Sequence, residues 1–293
     1  MVGSRHMLPF TYTVVVPAYN EANSIGGVID RIYRAVPGAD ILVVDDGSSD
    51  NTVQAAEAAG ARVLPHPYNK GNGAAVKTAL RSLETEKIII IDGDGQHPPE
   101  AIPVLLERLE RYDLVVGARS TESEAPRHRN LGNWLLRQFA TYLSDCYIPD
   151  LTSGFRGIDR LKALEFIHLY PNGFSFPTTN TMAFISAGYS VFFEPIVTQT
   201  RSKDSSSKIH PIRDGLRFGL MILRISTMIN PLRVFLPVGF FSLLFGTVWG
   251  VRTLILSSQL SVAGTLLISV GLNILFFGIV VDQLASMRLR GRD

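Results

Sequence analysis

Lys87-Ile88-Ile89-Ile90-Ile91-Asp92-Gly93-Asp94-Gly95-Gln96-His97-Pro98-Pro99-Glu100 decides how this chain folds. A row of isoleucines has no polar face. Such a run suits a strand buried on both sides, as in a parallel sheet sandwiched between helices. The run stops at once in two carboxylates, two glycines and an amide. A buried strand thus delivers a polar loop at its carboxyl end, where open α/β sheets bind ligands. Asp94 and Gln96 are hard oxygen donors suited to Mg²⁺ or Mn²⁺. A metal there can bridge diphosphate oxygens and neutralise charge as a nucleotide leaves, with Asp92 beside it. Gly93 and Gly95 let a ligand approach the backbone closely. D-x-D alone is a weak pattern, and a turn with capping aspartates is its plain alternative. The isoleucine strand before it and Gln-His-Pro-Pro-Glu after it strengthen the site reading.

Outward from this strand, short apolar runs alternate with amphipathic stretches. Strands are expected at 13–16, 41–44, 62–64, 87–91 and 114–117. Helices are expected at 24–36, 50–59, 73–83 and 99–111; in the first, Ile25, Val28, Ile29, Ile32 and Val36 recur at helical spacing. This alternation predicts a mostly parallel sheet with helices on both faces. The loops after the strands at 13–16, 41–44 and 88–91 should converge on one site. In the first, Pro17-Ala18-Tyr19-Asn20-Glu21, Tyr19 can stack on a base and Glu21 can accept hydrogen bonds from base or ribose. In the second, Asp45 and Asp46 suit the donors of a nucleoside, while Ser49 or Asp50 suits a helix cap. Capping and binding are compatible.

The chain has 293 residues, 28 basic and 26 acidic, for a formal net charge of +2. That balance argues against a nucleic-acid partner. A single cysteine, Cys146, excludes a disulfide framework and a cysteine-built zinc site. Residues 1–7 (MVGSRHM) read as a cloning remnant without an apolar core. Residues 8–211 form the expected catalytic domain. Residues 212–231 place Arg213, Arg217 and Arg224 among apolar residues, the pattern of an amphipathic helix lying in a membrane interface. Residues 232–287 hold two uncharged runs, Val234–Val251 and Val262–Val281, each about long enough to span a bilayer as a helix, and so form a transmembrane hairpin. A buried soluble hairpin is the alternative. Arg224 and Arg233 precede the hairpin, and Arg288, Arg290 and Arg292 lie in or beside the basic tail at 288–293. The positive-inside rule therefore places both flanks and the catalytic domain in the cytoplasm. Polar Asn273 and Asp282 suit burial between hairpins in a homo-oligomer.

The segments VVPAYNE (15–21), VVDDGSSDNT (43–52), NKGNGAAV (69–76) and DGDGQHPPE (92–100), in this order and spacing, resemble family 2 glycosyltransferases of the GT-A fold, in particular the polyprenyl-phosphate (dolichyl- or undecaprenyl-phosphate) glycosyltransferases. The resemblance covers about residues 12–235, and the hairpin matches membrane-anchored members of that group. It implies that Pro17, Ala18, Tyr19, Glu21, Asp45 and Asp46 hold the nucleoside of a GDP- or UDP-sugar. It implies that Asp92, Gly93 and Asp94 hold the diphosphate and that Asp94 and Gln96 hold the metal. Arg201 and Lys208 would close over the donor. Arg119, Arg129 and Asn133 would bind the acceptor phosphate, with Asn133 standing where the family has serine. Asp92, Asp94 and Arg119 are the implied catalytic residues, and Asp150–Arg156 matches a loop lining the site.

Read bottom-up, Arg129, Arg156, Arg201 and Lys208 are phosphate-gripping candidates, whereas Arg127, Arg137 and Lys203 read as solvated surface charges. Lys70 fits either a diphosphate contact or a solvent-facing loop. His97 and His128 read as hydrogen-bonded surface residues. The segment Gly173–Thr181 carries no carboxylate, although family members usually have a glutamate there. That suits an acceptor that brings its own negative charge, because a lipid phosphate needs no protein base. The implied reaction is metal-dependent hexose transfer to a polyprenyl phosphate, with inversion by single displacement. The alternative is a non-catalytic membrane subunit that uses the fold to bind a nucleotide or partner. A processive polysaccharide synthase would need a Gln-x-x-Arg-Trp-type motif and more spanning helices. A nucleotidyltransferase would need a glycine-rich loop where Pro17–Glu21 stands.

Overall fold

This computed structural model describes residues 8–119, 138, 141–142, 147–173, 175–197 and 231–290. The chain divides into two compact units, Met1–Phe218 and Gly219–Asp293. Within the first, the described elements are β1 (Tyr12–Ala18), α1 (Ile25–Ala35), β2 (Asp40–Asp45), α2 (Thr52–Ala58), β3 (Arg62–Pro65), α3 (Asn72–Ser82), β4 (Lys87–Ile90), a 3₁₀ turn (Pro99–Ala101), α4 (Ile102–Arg108), β5 (Leu114–Arg119), β6 (Arg156–Asp159), α5 (Arg160–Glu165), α6 (Phe176–Ser186) and β7 (Val191–Ile196).

The strands form one sheet in the order β3-β2-β1-β4-β6-β5-β7. Four of the six pairings are parallel, and only those of β6 are antiparallel. The mostly parallel α/β sheet expected from the sequence is therefore present. Alternate side chains of each strand go to opposite faces. Val14, Val16, Ile41, Val43, Ile89 and Ile91 pack with Ile25, Ile29 and Ile32 of α1 and Ile102 and Leu105 of α4. Val15, Leu42, Val44, Ile88 and Ile90 pack with Ala75, Val76, Ala79 and Leu80 of α3 and Phe176 and Phe184 of α6. The isoleucine row thus feeds two cores at once, each fully buried side chain contributing about 1.5–3 kcal/mol. The expected helix at 99–111 is shorter and begins as a 3₁₀ turn, because Pro98, Pro99 and Pro103 lack the donors of a regular first turn.

The second unit contains α7 (Leu232–Ser257) and α8 (Val262–Arg290). Stretches of 26 and 24 residues, with mean hydropathy 1.9 and 2.3, are long and apolar enough to cross a membrane. Glycines form the seam of the hairpin. A methyl group on Gly239 would lie 2.7 Å from Leu275 Cδ2, one on Gly264 2.9 Å from Gly250 Cα, and one on Gly271 2.9 Å from Gly239 O. Ser242 Oγ donates to Leu267 O at 2.8 Å. Apolar side chains such as Phe240, Phe245, Trp249, Phe276 and Phe277 are exposed, as on a lipid-facing surface. The segment expected as a basic tail continues α8 as far as Arg290. Residues 212–230 of the expected interface helix at 212–231 lie outside the described residues, as do Arg129, Asn133, Arg201 and Lys208.

Candidate active site

The carboxyl ends of β1, β2 and β4 open side by side, since β1 pairs with both of the others. The first two loops are knitted into one surface. Asn20, with φ of 55°, accepts on Oδ1 from Ser49 N at 2.8 Å, and its own N–H donates to Ser48 Oγ at 2.8 Å. Ser48 Oγ donates onward to Asp45. Glu21 N donates to Thr52 Oγ1 at 2.8 Å, and the Thr52 hydroxyl donates to Asp50. Asp50 also accepts from Ala22 N at 3.2 Å. Asp50 and Ser48 therefore brace the neighbouring loop in addition to shaping their own turn. Tyr19 stands out of this surface at 46% exposure.

Gly47 closes the second loop. Its φ is +76°, and a methyl group there would lie 2.5 Å from Tyr68 C, so backbone passes directly over it. Asp46 is buried, and its carboxylate accepts from Lys70 N at 2.9 Å and Gly71 N at 2.7 Å while facing His66 Nδ1 at 2.8 Å. Asp46 thus holds the Lys70–Gly71 turn that starts α3. Lys70 Nζ lies 5.5 Å over the Tyr68 ring. Asn72, the first residue of α3, directs Nδ2 at Asp92 Oδ1, 3.4 Å away.

In the third loop, Gln96 N donates to Asp94 Oδ1 at 3.0 Å, and Gln96 Nε2 reaches Asp94 Oδ2 at 2.5 Å. The carboxylate and the amide touch, on one short loop. A divalent cation fits this donor set, because rotation of the amide end places Oε1 where Nε2 stands. Among the described residues no cluster of three or more His, Cys, Asp or Glu side chains forms a protein-only cage. Two protein oxygens plus phosphate and water suit Mg²⁺ or Mn²⁺. Ser24 Oγ lies 2.7 Å from Glu21 Oε2 and 2.9 Å from Gly93 O, so the first and third loops are pinned together.

Asp92 is enclosed from several sides. His97 Nε2 lies 3.5 Å from its Oδ2. A methyl group at residue 154 would lie 2.5 Å from the same oxygen. Burial pushes the Asp92 carboxyl up, but His97, Asn72 and Arg156 outweigh it and hold the group below the usual carboxylate range. Arg119 extends β5 and grips Asp150 through Nε at 2.8 Å and Nη2 at 3.1 Å, with Nη2 also 2.6 Å from Thr152 Oγ1. Its hydrogen bond to Asp150 raises the Arg119 pKa. Burial acts to raise that of Asp150, and Arg119 more than reverses it.

The sequence-expected residues Pro17, Ala18, Tyr19, Glu21, Asp45, Asp46, Asp92, Gly93, Asp94, Gln96 and Arg119 all fall on loops or strand ends of this sheet. Two expectations are corrected. His97 is buried, at 9% exposure, and stacks at 5.6 Å on Phe155, so it is no surface histidine. Arg156 is 0% exposed with every bonded nitrogen turned to protein groups, so it does not grip a phosphate directly. Sequence reasoning missed Asn72, Ser24, His66 and the close approach of Gly154. The Gly-Asn-Gly spacing at 71–73 was a usable signal. Methyl groups at Gly71 and Gly73 would strike the backbone of Asn172 and Pro171, which crosses the start of α3.

A mostly parallel seven-stranded sheet with a D-x-D loop at the end of its central strand is the architecture of an α/β glycosyltransferase of the GT-A class. The chain belongs to glycosyl transferase family 2, whose profile it matches over residues 13–164, and residues 230–287 match the GtrB C-terminal hairpin. It is accordingly an enzyme that transfers sugars. It is 30% identical to glycosyltransferase AglJ of Haloferax volcanii over 95% of both chains. It is 30% identical to undecaprenyl-phosphate mannosyltransferase of Micrococcus luteus over 66% of this chain and 85% of that one. Among solved structures, glucosyl-3-phosphoglycerate synthase from Mycobacterium tuberculosis, in complex with Mn²⁺, UDP and phosphoglyceric acid, superposes with a TM-score of 0.59. Its identity is 23%, over 74% of this chain and 79% of that one.

Proposed function

We propose that this protein transfers a hexose from a GDP- or UDP-sugar to a polyprenyl phosphate, with inversion, at the cytoplasmic face of a membrane. The observation that carries the reading is a family 2 catalytic unit and an apolar hairpin in one chain. The name of the Micrococcus luteus relative supports the lipid phosphate as acceptor. Loops 17–21 and 45–50 offer Tyr19, Glu21 and Asp45 to the nucleoside. Asp94 and Gln96 would hold Mg²⁺ or Mn²⁺, which supplies positive charge for the departing diphosphate. Asp46 positions the turn leading into α3, and Asn72 and His97 orient Asp92. Arg119, held by Asp150 and Thr152, offers its guanidinium to the acceptor phosphate. Arg129 and Asn133 would join it, and Arg201 and Lys208 would close over the donor.

The chemistry is a single displacement. A phosphate oxygen of the lipid forms a bond to the anomeric carbon as that carbon's bond to the diphosphate breaks, and the nucleoside diphosphate departs with the electron pair. The nucleophile is already an anion, so no side chain need accept its proton.

The test is incubation of the purified protein with radiolabelled GDP- and UDP-sugars, a polyprenyl phosphate and Mn²⁺. A labelled glycolipid of inverted anomeric configuration is expected. Chelation of the metal should abolish it, and Asp94→Ala should lower the rate about 10²- to 10³-fold. Failure to label lipid with any donor would overturn the polyprenyl phosphate as acceptor.

A further inference from the structure

Arg156 is an unusual cation. It is fully buried at the start of β6, between β4 and β5. Among the described residues no carboxylate lies within ion-pairing distance of it. Its partners are neutral: Pro177 O at 2.9 Å, Asn180 Oδ1 at 3.0 Å, Thr181 Oγ1 at 3.3 Å and Ser153 O. Among the described residues its Nε–H has no partner. Phe176 lies under the guanidinium at 5.9 Å. Buried arginines ordinarily keep a paired anion, because an isolated charge in protein is costly. Burial draws the Arg156 pKa down to about 10, which still leaves it charged at neutral pH. Asp150 and Asp92 act on it from beyond contact. Asp150 is already committed to Arg119. Asp92 opens the metal loop, and Gly154, two residues before Arg156, lies against it.

We propose that Arg156 is a fixed, unpaired positive charge in the wall behind Asp92, whose field holds the diphosphate of the sugar nucleotide without touching it. This rests on the reading of the Asp92–Gln96 loop as a nucleoside-diphosphate site. A field through protein is screened far less than one through water, so a buried cation can act across several ångströms. The face of α6 against it is neutral and brings no anion into contact with that charge. Asn180 accepts from the guanidinium on Oδ1 and donates from Nδ2 to Tyr170 Oη at 2.9 Å.

Asn180→Asp tests the proposal with almost no change of shape. The new carboxylate can accept from both Arg156 and the Tyr170 hydroxyl, and it cancels the charge where it sits. Binding of UMP, UDP, GMP and GDP to the purified full-length protein with Mn²⁺ is measured by calorimetry, alongside thermal melting. Thr181→Asp, which brings a carboxylate to the same nitrogen, is measured in parallel and replaces the first variant if that one does not melt cooperatively. The expected result is diphosphate binding about tenfold weaker. The loss should be smaller for the monophosphate and smaller again in high salt, at an unchanged or raised melting temperature. Diphosphate binding equal to the parent's, or an equal loss for mono- and diphosphates, overturns the proposal. If the parent itself binds no nucleoside diphosphate, the functional reading fails first and takes the inference with it.

Discussion

At residue 154 the difference between hydrogen and a methyl group reaches Asp92, in the proposed metal loop. A methyl group there would sit 2.5 Å from Asp92 Oδ2 and 3.2 Å from Cγ, so the carboxylate must move. Displacement of a positioned group by about 1 Å can cost 10²-fold in rate. Gly154→Ala is expected to lower kcat about 10- to 100-fold while changing the melting temperature little, because the side chain that yields lies at a partly open site. Steady-state kinetics beside a thermal melt checks this, and an unchanged kcat would remove Asp92 from the set of positioned groups. The place of Asp92, Asp94 and Gln96 at a strand end was legible in the sequence, because an apolar run stops there in polar residues. Gly154 was not, because a close approach between segments 62 residues apart leaves no local pattern. His97 was misread for a related reason: a loop position suggests exposure, but Phe155 covers this ring.

Among the elements of the first unit, those up to β5 were legible and those after it were not. Before residue 119, buried parallel strands show as apolar runs and the helices as one-sided patterns. The strand β6 reads Arg-Gly-Ile-Asp, with a buried cation and a glycine in place of an apolar run. In α6, Thr178, Thr179, Asn180 and Thr181 are buried along with Phe176, Met182 and Phe184, so no amphipathic face exists to be read. The strand β7 carries Glu194, which pairs with Arg108, and Pro195, both tolerated at a sheet edge. In the hairpin, by contrast, length and apolarity were plain, but the glycine seam was not anticipated. It yields a prediction at this scale. A side chain at Gly271 would meet Leu243 Cγ at 2.8 Å and Gly239 O at 2.9 Å, with backbone on the far side. Gly271→Val should force α7 and α8 apart, whereas Leu272→Val, at an exposed position, should not. Thermal melting of the full-length protein in detergent would report the separation as a lower midpoint for Gly271→Val; equal behaviour of the two variants would contradict the seam.

For the whole molecule, two expectations follow from charge. Asp40, Asp113 and Asp150 are each held below the usual carboxylate range, with burial opposing and hydrogen bonds from Arg62 and Thr13, Lys162 and Ser190, and Arg119 prevailing. These groups bind protons less readily folded than unfolded. Their contribution is therefore complete above the ordinary carboxylate pKa of about 4 and is lost as the pH falls through that value toward their lower folded ones. Melting temperatures measured from pH 7 down to 3 should stay level to about pH 5 and then drop; a decline between pH 7 and 6 would point to a different titrating group. The second expectation concerns orientation. If α7 and α8 each cross the bilayer, both ends of the hairpin share one face and the link at 258–261 lies on the other. Arginines at 233, 288, 290 and 292 flank the open ends, and Arg252, beside Trp249 at 5.5 Å, is the cation near the link. The excess on the open ends favours the cytoplasm for them and for the chain that precedes α7. Replacing the single cysteine (Cys146→Ala) and introducing Gln259→Cys places a lone thiol at an exposed position of the link. A membrane-impermeant maleimide should then label intact cells but not sealed inverted vesicles. Labelling of the vesicles alone would reverse the orientation and place the proposed nucleotide-binding loops away from the cytoplasmic supply of sugar nucleotides.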